Sequence, residues 1–326
     1  MRYGAGMFPA TAPHAHGFVH NPDGDSIYWE TSGNPQGLPA LWLHGGPGSG
    51  LGAGGYRTRY DPAVFRVVGI DQRGCGRSTP LVVDALDRLA ANTTDGLIAD
   101  IELVREELGI DRWLVTGGSW GSTLALAYAL AHPDRVAGIV LGAVTTTGRE
   151  EVDWITETMG RVFPEAWEAL ERASHRRPGE RVVEAYARIL ATGAPEERSA
   201  AAEAWEAWES THVSLDPNFV PGPMFADATK REVFATLVTH YWANLAFLPG
   251  ERAILNRVKE LAHIPAVLIH GRHDVSGPVI TPWRLHRRWP ASRLIVVEGE
   301  GHWGPEATRI MAEAISGFAR QGEWVA

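Results

Sequence analysis

The chain has 326 residues, 44% of them hydrophobic, and a formal net charge of −9, so it can bury a large core but lacks the basic patch that nucleic acid or an anionic membrane would require. No uninterrupted apolar segment approaches bilayer length, and residues 1–19 show neither the basic nor the apolar region of a secretory leader. A cytoplasmic protein without nucleic-acid or membrane partners is expected, and one cysteine, Cys75, excludes an intrachain disulfide and a thiolate metal cluster.

In chain order, residues 17–20 and 26–30 flank Asn21-Pro22-Asp23-Gly24 and read as an antiparallel hairpin at a sheet edge. Apolar runs bounded by glycine or proline follow at 40–43, 65–70, 113–115, 136–141, 266–269 and 294–297, most of them separated by stretches of helical spacing. That alternation predicts an α/β fold: a mostly parallel central sheet with helices on both faces. From about 150 to 249 the strand rhythm stops, and the chain becomes rich in Glu, Ala, Arg and Trp at helical spacing. This is expected to be a helical cap, 145–250, inserted into a core domain of 1–144 and 251–326, over the carboxyl ends of the strands. Thirteen tryptophans exceed what a core needs, so some are expected to line a pocket.

Ser119 lies in Gly117-Gly118-Ser119-Trp120-Gly121, between the apolar run at 113–115 and the helix-like 123–129. A strand that turns sharply into a helix needs small residues on both sides, and Gly117 and Gly121 supply them. The turn predicts a nucleophile elbow rather than an inert Gly/Ser bend, with the Trp120 N–H aimed at a bound carbonyl oxygen. After the run at 40–43 comes His44-Gly45-Gly46-Pro47-Gly48, in which Gly46 is the second candidate for an oxyanion hole. The lysine and Ser/Thr of a phosphate-binding loop are missing from it.

A serine hydroxyl needs a base, and the base needs a carboxylate to fix its tautomer. Chain order in such folds is serine, acid, histidine. Asp274 follows the strand at 266–269 and His302 follows the strand at 294–297, so both loops can reach the serine. His263 precedes its strand, Asp71 precedes Ser119, and Glu298 and Glu300 crowd His302. The chemistry needs no metal or organic cofactor, and the histidines show no HExxH spacing. Cys75 reads as a packed side chain, and Asp71 and Arg73 as structural residues.

With these residues assembled, the chain resembles the proline iminopeptidases, serine aminopeptidases of the α/β-hydrolase fold that release an N-terminal proline. His44 to Gly48 matches that family's HGGPG loop, residues 71–78 its DQRGCGRS segment, and 117–126 its GGSWGSTLAL elbow. The resemblance spans about 28 to 318 and places the catalytic serine, aspartate and histidine on Ser119, Asp274 and His302. It also implies that a W-x-x-W-E element, here Trp205, Trp208 and Glu209, holds the substrate's free amine, since a buried ammonium demands a counter-charge.

Three places depart from the family. Val238 stands where a second amine-binding glutamate precedes the His-Tyr-Phe segment, here His240, Tyr241 and Trp242. Thr145, Thr146 and Thr147 stand where the family places large rings, and Trp303-Gly304-Pro305 follows His302. Tyr241 and Thr145 are therefore expected at a rebuilt substrate wall. The resemblance implies a serine hydrolase acting next to a free α-amine on a small peptide, with proline as the family default. The alternative is an amidase or esterase that removes an aminoacyl or other acyl group from a small metabolite.

Overall fold

The computed structural model describes residues 8–213, 215 and 226–320. Its strands are β1 (Pro13–His20), β2 (Ser26–Gly33), β3 (Leu38–Leu43), β4 (Phe65–Ile70), β5 (Trp113–Ser119), β6 (Val136–Val144), β7 (Ala266–Gly271) and β8 (Ser292–Val297). They form one sheet of order β1-β2-β4-β3-β5-β6-β7-β8. The hairpin β1–β2 pairs antiparallel, β2 lies antiparallel to β4, and the remaining neighbours are parallel. This is the expected α/β-hydrolase architecture.

Period-two alternation gives each face its own apolar layer. Leu41, Leu43, Val115 and Leu268 point into one cluster, while Ala40, Trp42, Leu114 and Ile269 point into the other. Every residue of β6 is buried, as a central strand covered on both faces requires. Helix α1 (Thr94–Glu107) starts where the Thr93 hydroxyl accepts the Gly96 N–H at 3.1 Å, and α2 (Trp120–Ala131) follows β5 directly.

Between β6 and β7 the chain leaves the sheet and forms α3 (Arg149–Asp153), α4 (Pro164–Ser174), α5 (Val182–Thr192), α6 (Pro195–His212), α7 (Ala228–Ala243) and α8 (Ile254–Arg257). Helix α6 has a clear sequence logic. Pro195 opens it, Glu196 and Glu197 occupy its positive end, and Glu197 reaches back to the Ala194 N–H at 2.8 Å. Helices α3 to α7 share an apolar cluster of their own, built around Tyr186, Leu190, Trp205, Trp208 and Val238, while Ile254 of α8 packs into the sheet core. Helix α9 (Ile280–His286) lies between β7 and β8, and α10 (Pro305–Arg320) closes the fold. Among the described residues no helix is long and apolar enough to cross a membrane.

Candidate active site

The carboxyl ends of β3, β5, β7 and β8 lie on one edge of the sheet, so the loops that leave them meet there. Ser119 ends β5 and begins α2 with φ 56° and ψ −128°, a backbone conformation that L-residues rarely adopt. The turn is possible because its glycines lack side chains. A Cβ on Gly121 would come 2.1 Å from the Leu43 carbonyl oxygen, and one on Gly117 would come 2.6 Å from the Gly121 oxygen. The hydroxyls of Ser122 and Thr145 both donate to the Ser119 carbonyl, at 2.6 and 3.1 Å, which ties the elbow to the end of β6.

His302 Nδ1 pairs with Asp274 Oδ2 at 2.9 Å. Burial alone would raise the Asp274 carboxyl, but the charge and hydrogen bond of His302, with His270 and the Gly277 N–H, hold it below its ordinary value. Burial pulls the other way on His302. There the Asp274 charge and hydrogen bond, helped by Glu209, win and raise the imidazole above its ordinary value. His270 braces the acid loop from behind. Its Nδ1 accepts the Val144 N–H at 3.0 Å and its Nε2 donates to the Gly277 oxygen at 2.5 Å.

The glycine loop after β3 packs against the elbow, since a Cβ on Gly45 would sit 3.4 Å from Ser119 Cβ and 4.0 Å from its Oγ. His44 orders this loop rather than acting as a base. Its Nε2 accepts the Gln72 N–H at 3.1 Å and its Nδ1 donates to the Gly45 oxygen at 3.0 Å. Gln72 in turn donates to the His44 oxygen at 3.0 Å and accepts the Trp120 indole N–H at 2.9 Å. Asp71 and Arg73 are structural, as expected. Asp71 accepts from the Leu51 and Arg77 backbones, and Arg73 grips Asp100 at 2.6 and 2.7 Å. Cys75 is a fully buried free thiol whose titration burial pushes well up, the packed role read for it.

Ser119, His302, Gly46 and Trp120 line one cavity of about 1060 Å³, counted to include its mouth. Glu209 and Thr145, two of the expected substrate residues, line it too. The other three stand one layer back. Trp205 and Trp208 are fully buried in the core of the inserted helices, where the Trp205 indole donates to Glu209 Oε1 at 3.2 Å. Tyr241 lies behind Trp120, with ring centroids 4.7 Å apart. Helical spacing put Trp205, Trp208 and Glu209 on one broad face, but only the edge of that face nearest His212 borders the cavity. Val238 is buried in the same helical core.

Rings still wall the cavity, supplied by Trp42, Phe234, Trp242 and Trp303 instead of the segment after β6. Thr145 and Thr147 do line it, but Thr123 holds both hydroxyls, at 3.1 and 2.8 Å. Burial pushes the Glu209 carboxyl up to about 7, against the opposing pull of His302 and the Trp205 N–H. Sequence reasoning missed four polar cavity residues: Ser49, Glu151, His212 and Ser276. The Glu151 carboxyl accepts the Thr146 and Gly148 N–H groups and so shapes the threonine wall. His212 lies three residues after Glu209, a helical spacing that could have revealed it, whereas Ser276 carries no such signal.

Residues 41–306 match the alpha/beta hydrolase fold family. The chain is 42% identical over 298 residues to the proline iminopeptidase of Neisseria gonorrhoeae, covering 91% of this chain and 93% of that one. It is 39% identical over 298 residues to the proline iminopeptidase of Arabidopsis thaliana, covering 91% and 77%. Among solved structures, the proline iminopeptidase of Mycobacterium smegmatis aligns with a TM-score of 0.62 at 24% identity, covering 95% and 99%. VinJ aligns with a TM-score of 0.66 at 21% identity, also covering 95% and 99%. These two likenesses concern the fold. The curated relatives settle the family: this chain belongs to the proline iminopeptidases of the α/β-hydrolase fold.

Proposed function

We propose that the protein is a serine aminopeptidase that releases an N-terminal proline from small peptides through an acyl-enzyme on Ser119. The observation that carries this is the Asp274–His302 pair opening into the same cavity as the elbow serine and a buried glutamate. Asp274 occupies His302 Nδ1, which leaves Nε2 to take the Ser119 proton as Oγ attacks the carbonyl carbon. Backbone N–H groups of Gly46 and Trp120 stabilise the resulting oxyanion. His302 then gives the proton to the leaving amine as the C–N bond breaks, and water, deprotonated by the same imidazole, frees the proline. Glu209 neutralises the substrate ammonium.

Segment 145–250 acts as a cap domain over a core of 1–144 and 251–326, and its separate apolar cluster supports that division. A small substrate suits this arrangement, because residues of both segments line the cavity at the reacting groups. We place the protein in the cytoplasm, where a lone reduced thiol is stable. The test is hydrolysis of prolyl-β-naphthylamide against its alanyl and N-acetylprolyl analogues. A preference for the free prolyl amine supports the reading. Indifference to acetylation favours the acyl-hydrolase alternative, in which the site takes a neutral acyl group from a metabolite.

A further inference from the structure

Glu209 Oε2 and His212 Nε2 lie 3.8 Å apart on the last turn of α6, too far for a hydrogen bond to each other. Both residues line the cavity. His212 is 1% exposed, and its Nε2 has no hydrogen-bond partner among the described residues. A buried, unpartnered polar atom on a cavity-lining side chain is costly unless a ligand satisfies it.

The tautomer follows from its neighbour. Ser276 has one hydroxyl hydrogen, and it donates to the His212 carbonyl at 3.0 Å because a carbonyl can only accept. The 2.7 Å contact between His212 Nδ1 and Ser276 Oγ must then be an Nδ1–H donation. That leaves Nε2 a bare acceptor. Burial, together with the nearby His302, keeps the ring neutral by lowering its titration to about 3, so it cannot serve as a counter-cation for Glu209. Two acceptors therefore stand side by side, with no donor between them among the described residues.

We infer that His212 is the second amine acceptor of this enzyme, sharing the substrate's ammonium with Glu209 and doing the work that Val238 cannot. The inference rests on the aminopeptidase reading above. A protonated N-terminal proline carries two N–H bonds. One goes to Glu209 Oε2 and the other to His212 Nε2, which leaves no donor unpaired. A primary ammonium carries three, and the third has no counterpart in this pair. The arrangement thus selects secondary over primary amines by donor count, alongside any fit of the ring to the cavity walls.

The test is steady-state kinetics with prolyl-β-naphthylamide, alanyl-β-naphthylamide and a neutral acetyl ester, for the wild type, His212→Phe, His212→Gln and Glu209→Gln. Phenylalanine keeps the ring shape beside Trp208 and removes both nitrogens; glutamine restores an acceptor oxygen. The inference predicts that His212→Phe lowers the ratio of prolyl to ester kcat/KM by about tenfold or more, mainly through KM. It also predicts that the variant narrows the prolyl-to-alanyl preference and that His212→Gln recovers part of both. A proportionate fall for every substrate would make His212 structural and overturn the inference. An unchanged ratio would overturn it too. If Glu209→Gln lowers the prolyl-to-ester ratio while His212→Phe does not, only the second acceptor is lost. If neither lowers it and acetylation of the amine is harmless, the aminopeptidase reading falls with it.

Discussion

Glu209 and His302 line the same cavity and feel each other's charge, and their titrations oppose each other in a way that kinetics can read. The catalytic imidazole must be unprotonated, and Asp274 raises its pKa. Turnover of a neutral ester should therefore fall, as pH drops, through a midpoint above the ordinary imidazole value of about 6.5. A midpoint well below that value would contradict the pairing with Asp274. A free-amine substrate meets a second condition, because Glu209 must be ionised and burial sets its titration at about 7. Its kcat/KM should show a steeper acid limb than the ester does, and an alkaline limb near about 8, where an α-amine loses its proton. In Glu209→Gln the amine substrate should lose about tenfold or more relative to the ester, and its acid limb should revert to the ester's. Identical profiles for both substrates in the wild type would sink the role of Glu209. His302 and Asp274 were legible because each stands just past a strand end. Ser276 was not, since its partnership with His212 spans 64 residues and no local spacing encodes it.

The strand–turn–helix at β5 and α2 is where local sequence and distant packing agree most closely. Adding a methyl group at Gly121 would drive it to 2.1 Å from the Leu43 oxygen, which only a shift of β3 or α2 could relieve. Gly121→Ala should destabilise by about 2 kcal/mol or more and lose activity beyond what stability explains. Gly317, inside α10 and with nothing within 4 Å of a built Cβ, is the control. Gly317→Ala should stabilise by about 0.5–1 kcal/mol. Denaturation midpoints decide both, and a neutral Gly121→Ala would refute the close approach. The same elements show where pattern reading stops. Strand β1 begins at Pro13 instead of Gly17, because an edge strand exposing His14 and His16 has no apolar alternation to announce it. Strand β6 runs on to Val144 because its buried apolar run continues through Gly142 and Ala143. In the sequence Trp303 is only a departure from the family, yet its ring presses on Gly142 and Gly118 and seats the His302 loop on the sheet. Nothing in local periodicity reports such a contact.

At the scale of the whole molecule, the helices between β6 and β7 rest on the loop that carries the catalytic acid. The Trp154 indole donates to the Val275 oxygen at 2.7 Å, and His212 holds Ser276; both contacts fall within two residues of Asp274. Trp154→Phe removes one N–H and leaves the Val275 oxygen without it. We predict a stability loss of about 1 kcal/mol and a fall in kcat for amine and ester alike, since the acid loop serves both. A change confined to KM of the amine substrate would contradict that coupling. The parallel sheet and the helical insertion were legible from the break in strand rhythm. The assembly of the cavity wall was not, because its rings come from three distant stretches of chain: Trp42 on β3, Phe234 and Trp242 on α7, and Trp303 after β8. The central claim is that Ser119 carries the acyl group. Its most direct test is rapid acid quench of the enzyme during turnover of a prolyl ester, followed by peptide mapping by mass spectrometry. The account predicts a prolyl adduct on the peptide containing Ser119 in the wild type, with neither adduct nor turnover in Ser119→Ala. Full turnover by the alanine variant, or an adduct on another residue, would contradict it.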